Sequence, residues 1–134
     1  MAALYADSVY YLAILNPRDR LSAAASTSPV FRDAQKVTSD PILVEVLAYM
    51  GERGAFARQA ALTLIDELRH DPRTSIVRQT PELFDAGLEL YRRRPDKGYS
   101  LTDCMSMVIC SDQEVTQVLT HDQHFSQEGF EILL

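Results

Sequence analysis

The sequence predicts an α/β domain with a central parallel sheet covered by helices. Two observations predict it. Short β-like runs alternate with longer stretches of helical periodicity, as successive strand–helix units do. Three pairs, Asn16-Pro17, Asp40-Pro41 and Thr80-Pro81, set a capping side chain before a proline and so mark helix starts. The 134 residues hold no repeat, low-complexity tract or Gly/Ser-rich linker, so residues 1–134 read as one domain.

Taken in order, Leu4-Tyr5-Ala6 reads as the first strand, ending at Asp7, and Val9 to Leu15 as a helix. A second helix is expected from Asn16-Pro17. Gln35-Lys36-Val37 reads as the second strand, ending near Thr38. The helix after Asp40-Pro41 carries Ile42, Leu43, Val46, Leu47 and Met50 at helical spacing, and Gly51 and Gly54 break it. Phe56, Ala60, Ala61, Leu64, Ile65 and Leu68 form one side of the next helix, which stops near His70-Asp71-Pro72. Ser75-Ile76-Val77 reads as the third strand. After Thr80-Pro81 the expected buried face is Leu83, Phe84, Gly87, Leu88 and Tyr91. Ser100 opens a helix holding Met105, Val108 and Ile109. Thr116 to Leu119, a short helix near His121 to Phe125, and a last strand from Phe130 to Leu133 complete the chain.

At 46% hydrophobic and 24% charged residues, the composition is that of an ordinary globular protein. No apolar run reaches membrane-spanning length and no basic n-region precedes the first strand, so the expected location is the cytoplasm, without membrane attachment. Cys104 and Cys110 miss the usual zinc spacings and read as free thiols in a reducing compartment. The net charge of −6 weighs mildly against a phosphate-bearing partner. That objection weakens if four of the 19 acids share one metal site, since 15 then face 13 bases and a divalent ion inverts the local field.

Four acids stand apart from the rest. Asp7 ends the first strand and Asp122 lies just past the fourth. Asp103 lies in the first turn of its helix, and Glu45 about one and a half turns into the helix after the second strand. In an open parallel sheet, strand C-ends and the helix N-termini that follow share one edge, where ligands bind. The four are therefore expected to converge. Bare carboxylates at one spot repel each other, and a divalent cation relieves this. All-oxygen donors favour Mg²⁺ or Mn²⁺ over zinc. Such ions polarise a phosphoryl oxygen and orient in-line attack, so phosphodiester hydrolysis suits the set. Each acid also has a plainer role: Asp7, Asp103 and Asp122 as helix caps, the second within a Ser100–Asp103 capping box, and Glu45 as a surface residue. The hydroxyls of Ser8, Thr38, Ser39, Ser100, Thr102 and Thr120 stand close by in sequence and either hold metal-bound waters or serve turns and caps.

The segments around these acids resemble known ones. Ala6-Asp7-Ser8 through Asn16-Pro17-Arg18-Asp19 resembles the opening of PIN-domain proteins, especially VapC-type toxin ribonucleases. Val37-Thr38-Ser39-Asp40-Pro41 through Glu45-Val46-Leu47 looks like the second motif of that family. Tyr99-Ser100-Leu101-Thr102-Asp103-Cys104 is similar to the third, with Cys104 where alanine is common. Val118-Leu119-Thr120-His121-Asp122-Gln123-His124-Phe125, then Gly129-Phe130, resembles the closing motif. The four motifs fall in the family's order across nearly the whole chain. The resemblance implies a three-layer α/β/α sandwich, Mg²⁺ or Mn²⁺ held by Asp7, Glu45, Asp103 and Asp122, and single-stranded RNA as substrate. It also implies a homodimer and, in toxin–antitoxin systems, an antitoxin that blocks the pocket.

Arg92-Arg93-Arg94 with Lys97 is the dense basic run. It either steers an RNA backbone towards the metal or is a solvated helix C-terminus. His121 and His124 flank Asp122, but hard oxygen neighbours argue against their ligating the metal. Tyr5, Tyr10, Tyr11 and Phe31 are expected to pack in the core rather than stack on bases. A non-catalytic module on the same scaffold is the competing reading. Other phosphoryl-transfer folds fail: Ile76-Val77-Arg78 stands where a receiver domain needs an acid, Val9 where a haloacid-dehalogenase-type phosphatase needs one, and no P-loop occurs.

Overall fold

Five short strands form one sheet in the computed structural model, which describes residues 2–134. They are β1 (Leu4–Ala6), β2 (Lys36–Ser39), β3 (Thr74–Val77), β4 (Gln117–Leu119) and β5 (Glu131–Ile132), in the order β3-β2-β1-β4-β5. Every neighbouring pair is parallel, with Tyr5 opposite Val37 on one side and Val118 on the other. Parallel strands need long crossovers. Here the helices supply them: α1 (Ser8–Leu15), α2 (Ser22–Thr27), α3 (Pro29–Asp33), α4 (Asp40–Gly51), α5 (Ala55–His70), α6 (Pro81–Arg93), α7 (Leu101–Asp112) and α8 (Gln123–Gln127). The expected parallel sheet flanked by helices is what the chain forms.

Central β1 is buried along its whole length, as an all-parallel sheet covered on both faces requires. Tyr5, Ala6, Tyr11, Ile42, Val46, Val118, Leu119 and Phe125 form the centre of the core. Each large apolar side chain there contributes about 1.5–3 kcal/mol. The Tyr5 hydroxyl donates to Ser106 Oγ at 2.7 Å and lies 2.9 Å from Ser39 Oγ, so a buried phenol is satisfied and β1, β2 and α7 are tied together. Tyr10, Tyr11 and Phe31 pack edge to face at 5.3 and 6.5 Å, so these aromatics are core, as expected.

Several local expectations change. Asn16-Pro17 does not start a helix. The Asn16 side chain accepts the Arg18 N–H at 3.1 Å and its backbone N–H closes α1 onto Leu12, so the pair makes a turn. The segment that follows is two short helices split at Ser28-Pro29, where the serine caps the Phe31 N–H. Strand β2 runs on to Ser39, which takes the cap position assigned to Asp40. The Asp40 carboxylate instead takes Arg78 Nε at 2.8 Å and the Gln79 N–H at 3.0 Å, fixing the exit of β3.

Two apolar faces are rotated from expectation. In α5, Phe56 is 90% exposed, while Ala61, Leu64, Ile65 and Leu68 are buried; Leu47 of α4 is also exposed. In α6 the buried stripe is Leu83, Gly87 and Leu90, and Phe84 and Tyr91 face outward. Helical periodicity admits neighbouring stripes that share Leu83 and Gly87; the packing of α6 on α7 buries the one continued by Leu90 rather than by Tyr91. A Cβ at Gly87 would lie 2.7 Å from Met105 Cγ.

Candidate metal centre

Strand order reverses beside β1, which has β2 on one flank and β4 on the other, and ligands bind outside the strand C-ends at such a point. Asp7 follows β1 there, at the N-cap position of α1. Its carboxylate makes no side-chain cap hydrogen bond deeper into α1 and takes only the Ser8 N–H at the helix start. Asp7 is only 4% exposed. Thr120 Oγ1 donates to Asp7 Oδ2 at 2.8 Å and accepts the Asp122 N–H at 3.1 Å. One fully buried threonine thus joins the acid after β1 to the turn after β4.

Asp7 and Glu45 carry the electrostatic mark of convergence. Burial pushes the Asp7 carboxyl up to about 7 against the hydrogen bond from Thr120, and the Glu45 and Asp103 charges add to the rise. Glu45, half-buried on α4, is raised mainly by burial. The Ser8 hydroxyl opposes this, and Asp103 and Asp122 reinforce it. Asp7 thus feels the charges of Glu45 and Asp103, and Glu45 those of Asp103 and Asp122.

Asp103 and Asp122 do cap their helices. The Ser100 N–H donates to Asp103 Oδ2 at 3.1 Å and the Asp103 N–H to Ser100 Oγ at 3.0 Å, a complete capping box. Asp122 Oδ1 accepts the His124 N–H at 3.0 Å. Capping fixes these acids without consuming them. Among the described residues, Asp103 Oδ1 and Asp122 Oδ2 accept no hydrogen bond.

Sequence reasoning set His124 aside, and the structure brings it in. Its Nδ1 lies 3.1 Å from Asp103 Oδ2 and 3.4 Å from Asp122 Oδ1. Ligand atoms of Asp103, Asp122 and His124 all fall within 4.8 Å of one another, close enough to share one cation; Asp7 and Glu45 stand outside that trio. Two carboxylates and an imidazole are a donor set that fits a divalent ion. The signal in the sequence was the Asp122-Gln123-His124 spacing, which does not by itself reveal which way the ring points. His121 is exposed and joins no such group among the described residues.

The hydroxyls divide. Ser8 faces Glu45 and Thr120 holds Asp7, both at the centre. Thr38 is fully buried and donates to the Ala6 carbonyl at 3.0 Å, so it ties β2 to β1 instead of reaching the acids. Ser100 Oγ serves the capping box.

The basic run divides as well. Arg94 grips both oxygens of Glu128 at 3.0 Å and holds that carboxyl below the usual carboxylate range. Tyr99 Oη donates to the same carboxylate at 2.9 Å. Among the described residues, Arg92 and Arg93 pair with exposed Glu89, and Lys97 with exposed Asp96. Exposed pairs of this kind hold weakly. Cys104 and Cys110 are both free and buried, as expected.

No family model and no curated protein matches the chain in sequence. Its structure is similar to the crystal structure of Mycobacterium tuberculosis VapC20, a Sarcin-Ricin loop cleaving toxin, at a TM-score of 0.82 and 19% identity, over 95% of each chain. The PIN-type fold that the four motifs led us to expect is the fold this chain shares with VapC20.

Proposed function

We propose that this chain is a metal-dependent endoribonuclease that hydrolyses phosphodiester bonds of single-stranded RNA, using Mg²⁺ or Mn²⁺, and is the toxin of a toxin–antitoxin pair. The observation that carries this reading is Asp7: a buried carboxylate, held by the Thr120 hydroxyl and the Ser8 N–H, in range of the Glu45 and Asp103 charges. Such a group costs stability unless a cation offsets it.

Asp7, Glu45, Asp103 and Asp122 would hold the ion, which supplies polarisation of a phosphoryl oxygen and acidification of a water. The chain's own part is positioning. Thr120 sets the spacing of Asp7 and Asp122, Ser8 orients Glu45, and the capping box fixes Asp103. Exposed Arg92, Arg93 and Lys97 steer the RNA backbone by charge. VapC20, with the same fold, is a Sarcin-Ricin loop cleaving toxin, so a Sarcin-Ricin loop RNA belongs beside unstructured RNA in a substrate panel.

Two partners follow from the same reading, a second copy in a homodimer and an antitoxin. The apolar side chains Val44, Phe56 and Leu62, exposed on α4 and α5, favour a protein partner. Among the described residues, no helix is long and apolar enough to cross a membrane. The test is cleavage of fluorescent RNA in Mg²⁺, Mn²⁺ and EDTA. Cleavage should require a metal and be lost in Asp7→Asn. Metal-independent cleavage, or full activity in the variant, would refute the proposal.

A further inference from the structure

Building on that metal-dependent reading, we propose that His124 supplies a nitrogen ligand to the ion, so that the centre selects Mn²⁺ over Mg²⁺. Three observations converge on this residue. The first is distance. Neighbouring ligands around an ion with bonds of about 2.1 Å in octahedral array stand about 3.0 Å apart. His124 Nδ1 lies 3.1 Å from Asp103 Oδ2, a hydrogen bond when no ion is bound, and 3.4 Å from Asp122 Oδ1. The ring nitrogen thus already stands near that edge length from both acids, each of which keeps one oxygen free of hydrogen bonds among the described residues.

The second is that the ring is held from outside. Tyr99 packs on it with centroids 5.4 Å apart, and Tyr99 is itself anchored through Glu128 to Arg94. The third is Gly98. A Cβ built there would sit 3.3 Å from His124 Nε2 and 3.7 Å from Cε1, so glycine leaves the room in which the ring stands. The backbone of this loop, the aromatic face and the two caps together aim one nitrogen between two carboxylates.

The choice of ion follows from donor chemistry. Mg²⁺ prefers oxygen ligands, whereas imidazole suits transition ions, and Mn²⁺ accepts both nitrogen and carboxylate donors. Replacing one oxygen position by nitrogen therefore gives Mn²⁺ an advantage that an all-carboxylate centre lacks.

The experiment uses the full, tag-free chain. Pulsed electron paramagnetic resonance of its Mn²⁺ adduct should show nitrogen coupling from a directly bound imidazole, and the coupling should vanish in His124→Gln. By calorimetry the variant should bind Mn²⁺ about tenfold more weakly, and Mg²⁺ within about threefold of the wild type. The wild-type spectrum decides the matter even if the variant folds poorly. Mn²⁺ bound without nitrogen coupling overturns the His124 assignment and leaves the nuclease reading standing. No Mn²⁺ binding by the wild-type chain overturns both.

Discussion

Asp7 shows how one side chain can be costly to the fold and useful to a site. Burial is the largest cause of its raised pKa, with the charges of Glu45 and Asp103 adding to it. In metal-free buffer at pH 8, ionised Asp7 should cost on the order of 4 kcal/mol, at about 1.4 kcal/mol per tenfold change in proton affinity. Asp7→Asn keeps an acceptor for Thr120 and should raise Tm under those conditions, a sign opposite to most buried substitutions. The pH dependence has a definite direction. Between pH 3.8 and about 7 the folded chain keeps a proton at Asp7 that the unfolded chain has lost, so metal-free stability falls as pH rises through that window. Thermal melts in EDTA across pH 4–8 should show wild type losing ground against the variant as pH rises. Parallel curves would count against a buried, proton-holding Asp7. Asp7, Asp103 and Asp122 could be placed from the sequence because a strand end or a helix start fixes where a residue lies, whereas Glu45, inside α4, depended on which face that helix presents. His124 was not, because ring direction depends on Gly98 and Tyr99, which are distant in sequence and touch the ring only once the chain is folded.

At the level of elements, periodicity located helices well and their buried faces less well. Phe84 and Tyr91 fit the period of α6 as well as Leu90 does, and the contact with α7 decides between them. Gly87 sits at the tightest point of that contact. Gly87→Ala should lower stability by about 1–3 kcal/mol through overpacking against Met105, measurable by urea unfolding. An unchanged midpoint would mean that α6 and α7 separate more easily than their packing indicates. Prolines were misread in the same local way. Asn16-Pro17 and Thr80-Pro81 look alike in sequence, yet the Thr80 hydroxyl caps the Leu83 N–H while the Asn16 amide closes a turn. The basic run separates into two functions along one element. Arg92→Ala with Arg93→Ala should leave folding intact and flatten the salt dependence of RNA binding by about 0.7 in log–log slope per lost phosphate contact. Arg94→Ala should instead lower Tm, because Arg94 holds Glu128, which in turn holds Tyr99. Equal effects of all three on RNA binding would contradict this division.

For the whole molecule, the parallel sheet was legible because strands and helices alternate. The strand order was not, since nothing local records that β4 lies beside β1. That order matters most to the centre. It places Asp7 and Asp122 beyond adjacent strand ends, with Thr120 bridging them. A fold shared with VapC20 at 19% identity supports the architecture; the chemistry rests on the acids themselves. The most direct test of that chemistry is RNA cleavage by the purified chain with Mn²⁺, Mg²⁺ or EDTA, wild type beside Asp7→Asn. Cleavage that needs metal and falls at least about a hundredfold in a variant that melts no lower than wild type would match the loss of a metal-holding group, worth about 2.7 kcal/mol or more. An equally active variant, or cleavage that persists in EDTA, would contradict a metal centre built on Asp7.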